Sequence, residues 1–279
     1  MAAVHGNTQA RERIIVVGSP GCGKTYQGLT IAAQFPEAKV YWIDTDDAVL
    51  RTMIEFGDLP NVEVLPAWDW RSLVEAGERA AQKAQAGDWV VIDMLGPAWD
   101  WVQEYFVGEI HGQSMDNYFL QARRALTNNA ATLDLFSGWL DWPVIKKLYQ
   151  AWWLRIVRTP AHLYATSGPK EVGTEDSKEL RQLFGSYGVR PAGEKHAAHS
   201  FHTVLMFGHP KPDVWTMTTI KDRGRPRFEA EPLGNFAQEY LLRMWRTSAE
   251  ARPRPEEARP ETKKTLKTSG ASAKRRVVL

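Results

Sequence analysis

Gly18-Ser19-Pro20-Gly21-Cys22-Gly23-Lys24-Thr25 has the residue types and spacing of a phosphate-binding loop, G-x-x-x-x-G-K-[ST]. Glycines let backbone N–H groups wrap a polyphosphate with no Cβ in the way. A lysine at this place reaches the β- and γ-phosphates, and the hydroxyl after it ligates Mg²⁺. Such a loop needs a metal partner and a group that orients water. Asp93 suits the first role, because it ends the apolar run Trp89-Val90-Val91-Ile92, as a Walker B acid does. For the second, Asp44-Thr45-Asp46-Asp47 closes another apolar run and offers three acids. One of them must come within about 3 Å of the water. Aspartate is also a favoured helix cap, so capping is the alternative role for each.

The elements that must position these groups follow from pattern. Ile14–Val17 is a β-branched run leading into the loop, and Tyr26 to Phe35 is helix-compatible up to Pro36. Strand, glycine-rich loop and helix is the context a phosphate loop requires. Further strands are expected at 39–44, 61–65, 89–93 and 162–166. The continuous apolar runs among them suit strands buried on both faces of a parallel sheet. Helices are expected over 70–86, ended by Gly87, and over 139–158, stopped by Pro160. Three strands joined by short turns follow at 201–207, 214–220 and 227–229, and a closing helix at 236–245. Strands alternating with helices, then hairpin-joined strands, predict an α/β fold: a parallel sheet flanked by helices with an antiparallel C-terminal extension.

Residues 1–13 read as a disordered arm, 14–247 as one domain, and 248–279 as a disordered basic tail. Segment 103–137 lacks a clear period and reads as an insertion with some helix, and 167–195 reads as a mobile loop rich in Gly, Ser and charge. Net charge is +2, but 251–279 holds nine Lys/Arg against three Asp/Glu, so the tail is strongly positive and the rest acidic. One cysteine, Cys22, excludes an internal disulfide. No apolar run approaches a membrane span of about 20 residues, and 1–13 has no signal core. A soluble cytoplasmic protein is expected. His196, His199 and His202 are three apart, but the last falls on an expected strand, so zinc ligation is the lesser reading. The tryptophans of 139–153 stand at helical spacing and read as core or subunit contact.

Taken in order, these segments resemble the RecA/RadA recombinase ATPase core over about residues 12–232. Ile43-Asp44-Thr45-Asp46 is similar to that family's strand end, which places Asp46 where the family has its catalytic glutamate, one methylene shorter here; Asp47 is the alternative. Val90-Val91-Ile92-Asp93 is similar to its Walker B strand. His162 to Ser167 resembles the strand carrying the γ-phosphate sensor, with Thr166 or Ser167 where the family has Asn-Gln. Gly193 to Ser200 resembles the RadA segment after the second DNA-binding loop. Lys221-Asp222-Arg223 resembles the basic-x-basic pair that reaches the neighbouring subunit's nucleotide. The short length looks most like phage RecA-like ATPases of the Sak single-strand annealing group.

The resemblance implies a sensor strand lying between the Walker A and Walker B strands. It also implies ATP and Mg²⁺ as ligands, and a homo-oligomer, ring or filament, with Lys221 and Arg223 acting in trans. It implies single-stranded DNA binding by mobile loops. The candidates are 167–195, with Lys170, Lys178, Arg181 and Arg190 and with Phe184 and Tyr187 for stacking, then Arg123 and Arg124, and the tail cations Lys263, Lys264, Lys267, Lys274, Arg275 and Arg276. If phage-encoded, the protein is expected in the host cytoplasm. Alternatives are a helicase or DNA-packaging motor, an ATP-bound annealing or loading protein without turnover, and a small-molecule kinase.

Overall fold

The computed structural model describes residues 11–127, 140–223 and 227–245. The strands are β1 (Arg13–Val17), β2 (Val40–Asp44), β3 (Val62–Pro66), β4 (Trp89–Asp93), β5 (His162–Ser167), β6 (Pro169–Glu171), β7 (Val189–Pro191), β8 (Thr203–Lys211), β9 (Val214–Lys221) and β10 (Glu231–Pro232). The helices are α1 (Lys24–Gln34), α2 (Val49–Met53), α3 (Trp70–Lys83), α4 (Pro97–His111), α5 (Met115–Thr127), α6 (Asp141–Val157) and α7 (Lys178–Phe184). A closing helix over 236–245 contains a π-helical stretch, Ala237–Leu242.

One 8-stranded sheet has the order β10-β9-β8-β1-β5-β4-β2-β3. From β8 to β3 every pairing is parallel, while β9 and β10 run antiparallel. The expected α/β class is therefore present, and β5 lies hydrogen-bonded between β1 and β4 as the resemblance implies. The antiparallel part begins one strand later than expected, because β8, first of the hairpin strands, pairs with β1 in parallel register, Ile14 with Thr203.

Alternation along the strands makes two cores. Ile15 and Val17, Tyr41 and Ile43, Val90 and Ile92 face α3, α4 and α6. Ile14 and Val16, Val40 and Trp42, Trp89 and Val91 face α1 and the closing helix. Helix α3 begins at a capping box, with Asp69 accepting from the Ser72 N–H, and buries Trp70, Leu73, Ala76, Gly77 and Ala80. Trp152 and Trp153 of α6 are core, the first edge-on to Trp70. Helix α1 sits close to the sheet because of Gly28, where a Cβ would come within 2.7 Å of Trp42 and 3.1 Å of Tyr164. The same approach lets the Tyr164 hydroxyl donate to the Lys24 carbonyl at 3.0 Å. The first turn of α1 is thereby fixed above β1 and β5.

Three expectations are revised. Residues 11–13 belong to the fold: Glu12 is buried, Arg11 donates to the Val157 carbonyl at 2.7 Å, and Arg13 opens β1. The last strand is Glu231–Pro232, not 227–229, although the Phe228 carbonyl still accepts from the Thr219 N–H at 2.9 Å. The turn expected at 224–226 lies outside the described residues, as do 1–10, 128–139 and the tail. Segment 103–137 carries the helix expected in it, supplying most of α4 and all of α5. Finally, 167–195 is structured. Strands β6 and β7 pair antiparallel, α7 is capped by Ser177, and Leu180 and Phe184 are buried.

Within the same segment the guanidinium of Arg190 pairs with Asp176 at 3.1 Å, with side-chain exposures of 1% and 0%. Arg190 and Phe184 are thus withdrawn from the surface on which they were expected to meet DNA. Tyr187 is half-buried and its hydroxyl faces the Thr219 carbonyl at 3.4 Å. Lys170, Lys178 and Arg181 remain exposed, as do Arg123 and Arg124.

Candidate functional site

The loop between β1 and α1 rises from the C-terminal edge of the sheet. Gly21 (φ 78) and Gly23 (φ 86) take the left-handed conformation that a side chain resists. The Gly18 N–H is anchored to the Ser167 carbonyl at 3.2 Å. Lys24 is buried, and its Nζ donates to the carbonyls of Gly18 at 2.8 Å and Ser19 at 3.0 Å. Its ammonium therefore lies inside the loop. Cys22 is buried within the same loop, and burial pushes its thiol pKa up, against a reactive thiolate.

Strand order brings the acids to this loop. Asp93 ends β4, directly beside β5 and two strands from β1. It is fully buried, and the Thr166 hydroxyl donates to its Oδ1. Burial pushes its carboxyl above the usual range; the hydroxyls of Thr166 and Thr25 and the charge of Lys24 oppose that shift, and Asp44 adds to it. Its Oδ2 has no hydrogen-bond partner among the described residues. A buried orphan acceptor next to the Thr25 hydroxyl is a place where a hard cation fits, so the residues present suit Mg²⁺. The peptide after Asp93 is held by Thr45, whose Oγ1 accepts from the Met94 N–H at 2.6 Å and donates to the Met94 carbonyl at 2.9 Å.

The three acids of 44–47 separate by role. Asp44 is buried and accepts from the N–H groups of Asp46 and Val49, both at 3.4 Å, so it serves the turn into α2, whose N-cap is Ala48. Asp46 lines the cleft beside the loop. Asp47 takes a left-handed φ of 58° and stands outside the cleft lining. Partial burial, then Asp93, then Asp44 push the Asp46 carboxyl up to about 7.

That shift predicts a pH dependence of stability. The folded chain binds the Asp46 proton more tightly than the unfolded chain, where the value is about 3.9. Stability therefore falls as pH rises from about 4 to about 7 and stays lower above that window. The group is exposed on one side, so the effect after screening is about 1 kcal/mol. Asp46→Asn should raise the melting temperature of the ligand-free protein at pH 8 and leave it little changed at pH 4. Melts of both proteins at the two pH values check this; parallel pH dependences would refute it.

Thr166 and Ser167 reach the loop region, but their hydroxyls are occupied. Thr166 serves Asp93, and the Ser167 hydroxyl has its one proton shared between the carbonyls of Gly168 at 3.1 Å and Ala192 at 3.3 Å. Lys221 and Arg223 lie elsewhere. Lys221 is in register with Val204, itself opposite Ile15, so the pair sits toward the edge where β1 begins. Lys221 Nζ donates to the carbonyls of Ala198 at 3.1 Å and Phe201 at 2.7 Å, and burial lowers its pKa. Arg223 is exposed. His202 turns to Arg13 while the His196 and His199 rings pair at 5.7 Å, and among the described residues no three His, Cys, Asp or Glu gather around a metal position.

The cleft measures about 1020 Å³ and is lined by Pro20, Gly21 and Gly23 to Gln27, by Asp46, Arg51 and Ile54, and by a wall of Trp215, Leu233 and Gly234. That wall comes from β9 and the loop after β10, and no sequence signal marks it. Gln27 braces it: its Oε1 accepts from the Phe236 N–H at 2.8 Å and its Nε2 donates to the Gly234 carbonyl at 3.3 Å. Among the described residues no helix is long and apolar enough to cross a membrane.

No family model matches the sequence, and no curated protein is similar to it. Solved structures do match, 120 chains in all. One is a crystal structure of the RadB recombinase, 12% identical, with 78% of this chain and 84% of that chain covered and a TM-score of 0.44.

Proposed function

We propose that the chain is a Mg²⁺-dependent ATPase of RecA-like type that binds single-stranded DNA and acts in recombination or annealing, in the manner of phage annealing ATPases. The observation that carries this is the convergence, at one sheet edge, of Lys24 inside a glycine loop, a buried Asp93 with an orphaned oxygen, and Asp46 at the cleft. Gly18 to Gly23 cradle phosphates and Lys24 neutralises them. Thr25 and Asp93 hold Mg²⁺, which offsets phosphate charge when bound. Thr166 fixes the Asp93 carboxylate through Oδ1, leaving Oδ2 for that task. Asp46, once ionised, orients water and takes its proton; Asp47 is the less favoured candidate, being outside the cleft lining.

Arg223 acts in trans on the next subunit's nucleotide, which requires a ring or filament. Lys221 has its ammonium engaged by its own chain's Ala198 and Phe201 carbonyls, so the trans role falls to Arg223. Lys170, Lys178 and Arg181 supply the phosphate contacts to DNA.

A second reading rests on the occupied hydroxyls of Thr166 and Ser167: an annealing or loading protein that binds ATP without turning it over. ATPase rates with and without single-stranded DNA separate the readings. The main reading expects Mg²⁺-dependent turnover that DNA increases. Binding without turnover favours the second, ATP-driven strand separation favours a motor, and absence of ATP binding overturns all three.

A further inference from the structure

The hairpin of β8 and β9 projects past the sheet edge on which the phosphate loop stands. Its tip, 209–213, is exposed, and Trp215 at its base is half-buried. The Trp215 ring stacks on His209, centroids 4.9 Å apart and planes parallel. Its backbone carbonyl accepts the Leu233 N–H at 2.9 Å, which fixes the strand end. From this braced position the indole Nε1 donates to the Gly21 carbonyl at 3.3 Å. The ring also covers Gly23, where a Cβ would lie 3.5 Å from Trp215 Cδ1.

A trans peptide plane directs its carbonyl and its N–H to opposite sides. Holding the Gly21 carbonyl outward therefore turns the Cys22 N–H to the inside of the loop, where it faces the Ser19 carbonyl at 3.3 Å. With both Gly21 and Gly23 free to rotate, a carbonyl turned inward would repel a phosphate. The same ring, with Leu233 and Ile54, also lines the cleft beside the loop. A triphosphate held by the loop fills only part of a cleft of about 1020 Å³, so the rest of its lining, with the exposed face of Trp215, is left to the sugar and base.

We propose that Trp215 is a positioning residue of the nucleotide site, its N–H setting the phosphate loop and its ring carrying the nucleoside of a nucleoside triphosphate. The proposal rests on the nucleotide reading given above. It is tested by calorimetric titration of wild type, Trp215→Phe and Trp215→Ala with Mg·ATP and with Mg·tripolyphosphate, which has no nucleoside. Trp215→Phe keeps a ring and loses the donor, and it should weaken both ligands alike, about 5-fold, the worth of one hydrogen bond. Trp215→Ala should weaken ATP about 10-fold more than tripolyphosphate, a split that general loosening of the fold does not produce. Equal ATP affinity in wild type and both variants, or losses that follow melting temperature without the split, overturn the role of Trp215 alone. A wild-type chain that binds neither ligand overturns the nucleotide reading and this proposal with it.

Discussion

Replacing Lys24 with alanine should abolish ATP hydrolysis. The side chain opens α1, is buried, and places its ammonium against the Gly18 and Ser19 carbonyls at the floor of the loop. An ammonium in a site shielded from water stabilises developing phosphate charge far more than one in bulk solvent. Removing one such group lowers kcat by about 10²–10³-fold. The substitution also uncovers two carbonyl oxygens that repel the incoming phosphates, so nucleotide affinity should fall with it. Lys24→Arg keeps the charge but brings a planar fork instead of a compact ammonium, and it should restore little. Steady-state turnover of both variants, with thermal melts to confirm the fold, checks this. Turnover within about 3-fold of wild type would remove the basis for a phosphate-loop mechanism.

The second large effect is on stability. Arg190→Ala leaves the Asp176 carboxylate shut from solvent without its fork of guanidinium donors. Breaking one side of a buried pair costs about 3–5 kcal/mol. Lys195, 3.6 Å from Asp176, keeps part of the compensation, so the loss should fall near the lower end, about 3 kcal/mol. The Arg190 hydrogen bonds hold the Asp176 carboxyl below its usual range, so this stabilisation is present at neutral pH. It is lost as pH falls through that lowered value. Denaturant melts at pH 7, with hydrogen exchange across 167–195, measure the effect and its locality. A midpoint unchanged from wild type would mean that the pair does not hold this segment.

These two residues also mark what was legible in the sequence. Lys24 was, because β1, loop and α1 are contiguous and their signals are local. Asp93 was, because a run of four apolar residues before an acid declares a buried strand end. The placement of β5 between β1 and β4 agrees with the resemblance but follows from no local pattern. Arg190 was misread. Composition registers its charge, not Asp176 fourteen positions away that neutralises it, so a folded segment looked like a solvated loop. Phe184 went the same way, its burial being decided by α7 packing on the core. The distinction among Asp44, Asp46 and Asp47 depends on which N–H groups each carboxylate meets, and that is set by the turn into α2. Trp215 was invisible, since its partner Gly21 lies 194 residues away.

The flanking of β1 by β5 and β8 has a consequence for synthesis on the ribosome. The strand that carries the loop emerges first, yet its parallel neighbours begin at His162 and Thr203. Those partners are made roughly 150 and 190 residues later, about 10–40 s at 5–20 residues per second. During that interval the run Ile14 to Val17 has both hydrogen-bonding edges bare, and long-range parallel pairing is slow to form. The nascent chain therefore displays a glycine loop without the Ser167 carbonyl that anchors it, beside an apolar strand with unpaired edges. The cleft beside the loop is complete only after β9 and the loop following β10 have supplied Trp215, Leu233 and Gly234, so it forms last of all.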